Sequence, residues 1–476
     1  MSQRNETTIL LLTLIATIGL VAGGVWLFTK GIQPPPPGST DSTTPSPSQP
    51  VVQDNISFGE EILVTKEVSN NPPFVDLKQK GVTAIAGKNY SQAVSYLQAA
   101  LKLNPNAPET RIYLNNAQIG EQKSYTIAVA APIGSDADGA LEILRGVATA
   151  QNKINQAAGG NGLRLKVAIA NDNNQETQAQ EIATKLVNNS EILGVVGHWA
   201  SGITLAAAPV YDSGKLVTIS PISTSVKLSN ISRYVFRTVP SDYVAARALA
   251  NYMLKLQRKN AFVFFNSQSD YSKSLKSEFS TAVSLQGGQV LSEIDLSTSA
   301  FNAAQSVEQA KRQKADVLML AADTNKLDQA LQVVQVNQKQ FNILAGDDVY
   351  GIKTLKDGGA AAEGMVVAVP WHSDAEATQS DFLRQSKQLW GGANVNWRTA
   401  LSYDAVQALV AALERNPTRS GVQEVLSSPE FSTQGASGTI RFLPSGDRNA
   451  PVQLVKIIPS NSSRSGTGYD FAPVSP

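Results

Sequence analysis

Two short segments place several hydroxyl groups where a small ligand could be gripped. Gly194-Val195-Val196-Gly197 runs into His198-Trp199-Ala200-Ser201-Gly202-Ile203-Thr204, and Ile219 runs into Ser220-Pro221-Ile222-Ser223-Thr224-Ser225. Each is an apolar run ending in a turn rich in small hydroxyl residues. Ligands of open α/β sheets bind outside the carboxyl ends of the strands. Two neighbouring strand ends offering Ser and Thr hydroxyls with free backbone N–H groups suit a small carboxylate. The same residues have plainer uses: Ser201 suits a helix N-cap, and Thr224 suits a turn. Hydrolysis is a poor fit, because a nucleophilic serine needs an activating base. No Gly-x-Ser-x-Gly elbow surrounds Ser201 or Ser437, and only His198 is near enough in sequence to serve. His198 and His372 are the only histidines, and there is no cysteine. Disulfides, thiolate metal sites and a lipid-modified cysteine are therefore excluded, and no metal or cofactor is expected. The loop Gly159-Gly160-Asn161-Gly162 lacks both the Gly-x-Gly-x-x-Gly spacing and a P-loop lysine, so it reads as a tight turn rather than a nucleotide site.

The elements that must hold these residues follow a βαβ rhythm. Tyr125 to Ala130 has strand character, and Ile143, Val147, Ala150 and Ile154 mark a helix after it. Further strand runs stand at Leu163–Ile169, Leu193–Val196, Leu216–Ile219, Ala261–Phe265, Val317–Leu320, Phe341–Leu344 and Met365–Val369. Helical patterns such as Ser241–Leu256 and Ser272–Gln286 lie between them. Such alternation predicts an α/β fold of parallel, doubly wound sheets covered on both faces.

Upstream the composition changes. Ile9 to Phe28 is an uncharged run of 20 residues, long enough for a bilayer-crossing helix. It is read as a signal anchor at 9–29, behind a tail at 1–8. A cleavable signal peptide is the competing reading, and Leu20 stands where its cleavage site would need a small residue. Residues 30–72, with Pro34 to Pro37, Pro45, Pro47 and Pro50 among Ser and Thr, read as an extended linker. At 73–122, Leu77, Gly81, Tyr90, Ala93, Leu97, Ala100, Leu101 and Pro105 have the spacing of a tetratricopeptide repeat, which this small all-α module resembles. A plain helical hairpin would share that pattern. About one and a half repeats do not make a stable solenoid, so the module is expected to pack on its neighbour or on a partner. The net charge of +1 argues against nucleic acid as a partner.

From Tyr125 to Ile458 the chain resembles the type I periplasmic binding proteins of the branched-chain amino acid (Leu/Ile/Val) family. The resemblance rests on an ordered set of segments. Besides the two hydroxyl-rich turns they are Ile154-Asn155-Gln156-Ala157-Ala158-Gly159-Gly160 with Asn171-Asp172, Phe236-Arg237-Thr238-Val239-Pro240-Ser241-Asp242, Ala362-Glu363-Gly364-Met365, Tyr403-Asp404-Ala405-Val406-Gln407-Ala408-Leu409, and Gly438-Thr439-Ile440-Arg441-Phe442 with Gly446-Asp447.

The resemblance implies a solute-binding domain at 124–461 followed by a disordered tail at 462–476. It implies two lobes, about 124–239 with 370–441 and about 240–369 with 442–459, closing over a ligand like a hinged jaw. It implies no catalytic step, and delivery of a captured solute to the permease of an ABC importer. By the same resemblance Ser201 and Thr224 would bind a ligand carboxylate, with Ser223 beside them, and the Ile222 carbonyl would accept from a ligand ammonium. Tyr271 would come from the second lobe, and Asp347, or alternatively Asp348, would pair with the ammonium. Trp199 would line the cleft mouth or pack. Two positions depart from the family pattern: the loop Gly134-Ser135-Asp136-Ala137-Asp138-Gly139 has no aromatic ring, and Asp323 falls near a second aromatic position. Both make the pocket more polar, and the expected ligand becomes a polar or cationic amino acid, or another small amine or amide. The expected setting is a single-pass membrane tether with the binding domain in the periplasm. The alternative is a membrane-anchored sensing or scaffolding protein that acts through the helical module.

Overall fold

The structure is a computed structural model that describes residues 55–68, 71–158, 162–375 and 380–474. The expected anchor at 9–29, most of the linker, and Gly159, Gly160 and Asn161 lie outside the described residues. Among the described residues no helix is long and apolar enough to cross a membrane.

Residues 54–476 form one compact unit built on two sheets. The first contains β1 (Ile56–Ser57), β2 (Tyr125–Ala131), β3 (Leu165–Asn171), β4 (Ile192–Val196), β5 (Thr218–Ser220) and β6 (Val235–Arg237), in the order β1-β3-β2-β4-β5-β6. The second contains β7 (Asn260–Phe265), β8 (Gln289–Asp295), β9 (Val317–Ala321), β10 (Asn342–Ala345) and β11 (Val366–Val369). After a short separate hairpin of β12 (Thr433–Gly435) and β13 (Gly438–Ile440), β14 (Gln453–Pro459) and β15 (Tyr469–Pro473) join that second sheet. Its order is β15-β14-β11-β10-β9-β7-β8. The interior strands are parallel and almost wholly buried, as with Ile127 to Ala131 and Val317 to Ala321, which explains their near-continuous apolar sequences.

The sheets are mixed rather than purely parallel. β1 lies antiparallel to β3, while β14 and β15 run antiparallel at the edge of the second sheet. The segment expected to be a disordered tail therefore supplies a strand. Its Phe471 is buried and stacks on Tyr350 at 4.2 Å. A strand that follows its neighbour through a short turn can pair only antiparallel, since a parallel partner needs a crossover.

The helices follow in chain order: α1 (Pro72–Ala86), α2 (Tyr90–Leu103), α3 (Pro108–Ile119), α4 (Ala137–Ala157), α5 (Glu176–Asn188), α6 (Ser201–Ser213), α7 (Asp242–Lys255), α8 (Asp270–Leu285), α9 (Ala303–Arg312), α10 (Leu327–Asn337), α11 (Ile352–Gly358), α12 (Asp381–Leu389), α13 (Trp397–Arg415) and α14 (Arg419–Ser427). The chain passes between the two sheets three times: after Arg237, after Val369 and after Ile440. It returns through α13, which packs on α4 beneath the first sheet. Gly146 makes that approach possible, because a Cβ there would stand 2.2 Å from the Thr399 carbonyl oxygen.

Helices α1 to α3 are bound to the first lobe. Gly81 lets α1 and α2 close up, since a Cβ would meet Leu97 at 2.6 Å. The Asn116 carboxamide of α3 accepts from Val167 N at 3.0 Å and donates to Val167 O at 2.8 Å. It thereby continues the β3 ladder where the two-residue β1 stops. Gln151 donates to Asn116 Oδ1 at 2.8 Å and accepts from Asn115. The end of the expected linker is folded too. Lys78 Nζ, with no exposure, lies 2.7 Å from Glu67 and 2.5 Å from Glu109, and Glu109 Oε1 accepts from Leu63 N and Val64 N. A buried ammonium needs such carboxylates, and their backbone partners fix residues 63–67 in place.

Candidate ligand cleft

The first lobe presents the two hydroxyl-rich turns side by side. β4 gives way to Gly197, whose φ of +146° and whose Cβ position, which would stand 2.6 Å from Ala130 O, exclude a side chain. His198 lies beneath the turn, fully buried, with Nδ1 2.6 Å from Asp172 and Nε2 3.0 Å from the Tyr211 hydroxyl. Its carbonyl accepts from Ser220 Oγ at 2.8 Å. This histidine braces the loop; it does not touch the cleft. Ser201 opens α6, and Ala200 is that helix's N-cap residue. Rather than capping, Ser201 Oγ accepts from Ser225 N at 3.1 Å, joining the two turns. Ser223 Oγ donates to Trp199 O and pairs with Thr204 Oγ1 at 2.8 Å. Thr224 is 4% exposed, and its Oγ1 has no hydrogen-bond partner among the described residues.

The second lobe faces this with acids. The Tyr271 hydroxyl donates to Asp347 Oδ1 at 2.7 Å and accepts from Asp348 N at 3.4 Å. Asp323 accepts from Asn266 Nδ2 at 2.8 Å and from Asn325 Nδ2 at 3.2 Å. Burial, with the neighbouring Tyr271 hydroxyl and Arg398 opposing it, leaves the Asp347 carboxyl above its ordinary range. Burial and then the charge of Asp347 push Asp348 well above its own. A cation entering here would be favoured, because an opposite charge stabilises the ionised carboxylates that burial and mutual repulsion disfavour.

Trp199, Ser201, Ile222, Tyr271, Asp323, Asp347 and Asp348 line one gap between the lobes. Ser223 and Thr224, which follow Ile222 in the chain, are not among the lining residues. Three further lining groups have a strand-end position in common with them: Asn174 after β3, Ser269 after β7 and Thr324 after β9. Asn174 Oδ1 is buried without a partner among the described residues; the Asn171-Asp172-Asn173-Asn174 turn closing an apolar strand was the sequence signal for it. Arg398 is the less legible participant. It is 6% exposed, lies 5.2 Å from the Trp199 ring and 3.5 Å from Asp348, and donates to the carbonyls of Asp347 and Tyr350. Across the gap the Ser201 hydroxyl of one lobe faces three carboxylates and a phenol of the other, and the Arg398 guanidinium of the first lobe stands 3.5 Å from Asp348 beside it. It is narrow, with about 30 Å³ free, room for roughly one or two waters. The lobes also meet through Lys227–Asp270 at 2.9 Å and Val226 N donating to Ser274 Oγ at 3.0 Å. A solute the size of an amino acid therefore enters only when the lobes part.

Residues 124–462 match the family described as periplasmic binding protein. The leucine-specific-binding protein of Salmonella typhimurium is 22% identical over 306 residues, covering 63% of this chain and 82% of that protein. The Leu/Ile/Val-binding protein of Escherichia coli is 22% identical over 284 residues, covering 59% of this chain and 76% of that one. Among solved structures, a leucine binding protein from Thermotoga maritima aligns with a TM-score of 0.62 at 24% identity, covering 74% of this chain and 99% of that one. An ABC transporter substrate-binding protein from Desulfitobacterium hafniense, in complex with Leu, aligns with a TM-score of 0.61 at 22% identity, covering 74% and 100%. The matched span is well over half of the sequence and takes in both lobes and every residue of the gap, so the chain belongs to the periplasmic binding protein family, whose members bind solutes and are not enzymes.

Proposed function

We propose that this protein captures a small amino-acid-like solute between its lobes and delivers it to the permease of an ABC importer. The observation that carries this reading is the opposition of Ser201 to the Tyr271–Asp347 pair across one gap. Hydroxyls and N–H groups on one side and a carboxylate on the other complement the two ends of a zwitterion, and closure completes charge-assisted hydrogen bonds to both. Thr224 Oγ1, buried and unpaired, is a further group that a carboxylate would satisfy. The ligand is polar or cationic rather than leucine-like. Asp323, Asp347 and Asp348 crowd the gap with one guanidinium to offset them, and the 134–139 loop brings no aromatic ring. The N-terminal apolar run would tether the protein on the outer side of a membrane, and the helical pair of tetratricopeptide-like spacing would stand between the tether and the first lobe.

The test is calorimetric titration of the whole chain with the twenty amino acids, urea and short amides. One polar or basic amino acid is expected to bind. Asp347→Ala should then weaken it by about 30-fold or more, the cost of stranding a buried charge, and Ser201→Ala by about fivefold. Binding of aliphatic side chains alone would refute the polar pocket; binding of nothing would refute the receptor.

A further inference from the structure

At the opposite end of the first sheet from the cleft, helices α2, α3 and α4 enclose a half-open cavity of about 460 Å³. That is within the range of small-molecule sites. Its charged lining is of a single sign: Lys102 from the last turn of α2, Arg111 from α3, and Arg164 just before β3, with no carboxylate among the lining residues. Between the cations stand the amides Gln98, Gln118 and Asn152. Arg111 is the telling member. Its Nε is buried without a hydrogen-bond partner, and no acid forms an ion pair with it among the described residues. Burial depresses its pKa, and no neighbouring acid offsets that. Elsewhere among the described residues the cations withdrawn from water have partners: Lys78 has two carboxylates, Arg237 has Asp447, and the Arg419 guanidinium donates to four backbone carbonyls. An arginine desolvated this far without an anion costs stability, and a fork of guanidinium donors matches phosphate or carboxylate geometry.

We propose that this cavity binds a small multivalent oxyanion, a solute carrying phosphate or several carboxylates, held chiefly by Arg111 with Lys102 and Arg164 supplying charge. The site is separate from the cleft and needs no part of the amino-acid reading. Binding would bridge α2 and α3 to the first lobe, because Arg164 belongs to the lobe while Lys102 and Arg111 belong to the helices.

The experiment is titration of the whole chain with pyrophosphate and with citrate, repeated on Arg111→Gln and Lys102→Ala. One site per chain is expected for at least one of the two anions, and which one binds distinguishes phosphate from carboxylate chemistry. Affinity should fall about tenfold or more in Arg111→Gln, the loss of a charge-assisted contact, and should fall measurably in Lys102→Ala. Lys102 is exposed, so its variant keeps the fold and decides the matter even where Arg111→Gln does not fold. Binding of neither anion by the wild type, or equal affinity in wild type and Lys102→Ala, overturns the proposal.

Discussion

Asp242 is a buried acid whose ionisation the fold resists. It opens α7 just past the first crossover, is 1% exposed, and neither carboxylate oxygen has a hydrogen-bond partner among the described residues. The Thr224 and Ser274 hydroxyls approach it without good hydrogen-bond geometry, and Arg237 is committed to Asp447. Burial pushes its pKa up to about 7. The folded state therefore holds a proton that the unfolded chain has already released between about pH 4 and 7. Its stabilising contribution is complete below the unfolded pKa and is lost as pH rises through 7, up to roughly 4 kcal/mol. Asp242→Asn should raise the thermal midpoint by several degrees at pH 8 and leave it nearly unchanged at pH 4, as calorimetric scans would show. Equal shifts at both values would mean the charge does not matter. Much of the cleft was readable at this scale because strand ends announce themselves: Trp199, Ser201, Ile222 and Asp347 each follow an apolar run. Arg398 was not readable. It arrives from a helix that re-enters the first lobe after the second crossover, and nothing near it in sequence refers to the cleft. Nor can sequence show that the Ser223 hydroxyl is already spent on Trp199 O and Thr204, while Thr224, next to it, is free.

Among the elements, the α/β rhythm was legible because parallel strands buried on both faces must be continuously apolar. The edge strands were not. β1 is two residues long, and β14 and β15 carry the mixed exposure of strands at a border. Residues 55–68 look like linker because their fixing depends on charges far along the chain, Lys78 and Glu109. That cluster is the joint between the incoming chain and α1 to α3. Lys78→Met would leave the buried carboxylates of Glu67 and Glu109 facing one another. The expected loss is about 3–5 kcal/mol, measured as a lower urea midpoint. A loss below about 1 kcal/mol, within the range of an exposed ion pair, would show that water reaches the cluster.

For the molecule as a whole, helices α1 to α3 and the first lobe act as one body. Asn116 replaces a strand partner for Val167, and Gln151 of α4 closes the network. A chain begun at Ser124 would lose these bonds and bare the apolar face of α4. It should unfold at a lower urea concentration than a chain begun at Asn55, while solute affinity, which depends on the distant cleft, stays the same. Identical urea midpoints would show the helices to be an independent appendage. A different consequence follows from β15. Residues Tyr469 to Pro473 occupy the outer hydrogen-bonding row of β14, from Val455 to Pro459. Without them that row would be an open template, able to recruit the same strand of a second molecule. A chain ending at Pro459 should scatter more light with time and concentration than the whole chain, so the last strand serves as a stopper against polymerisation.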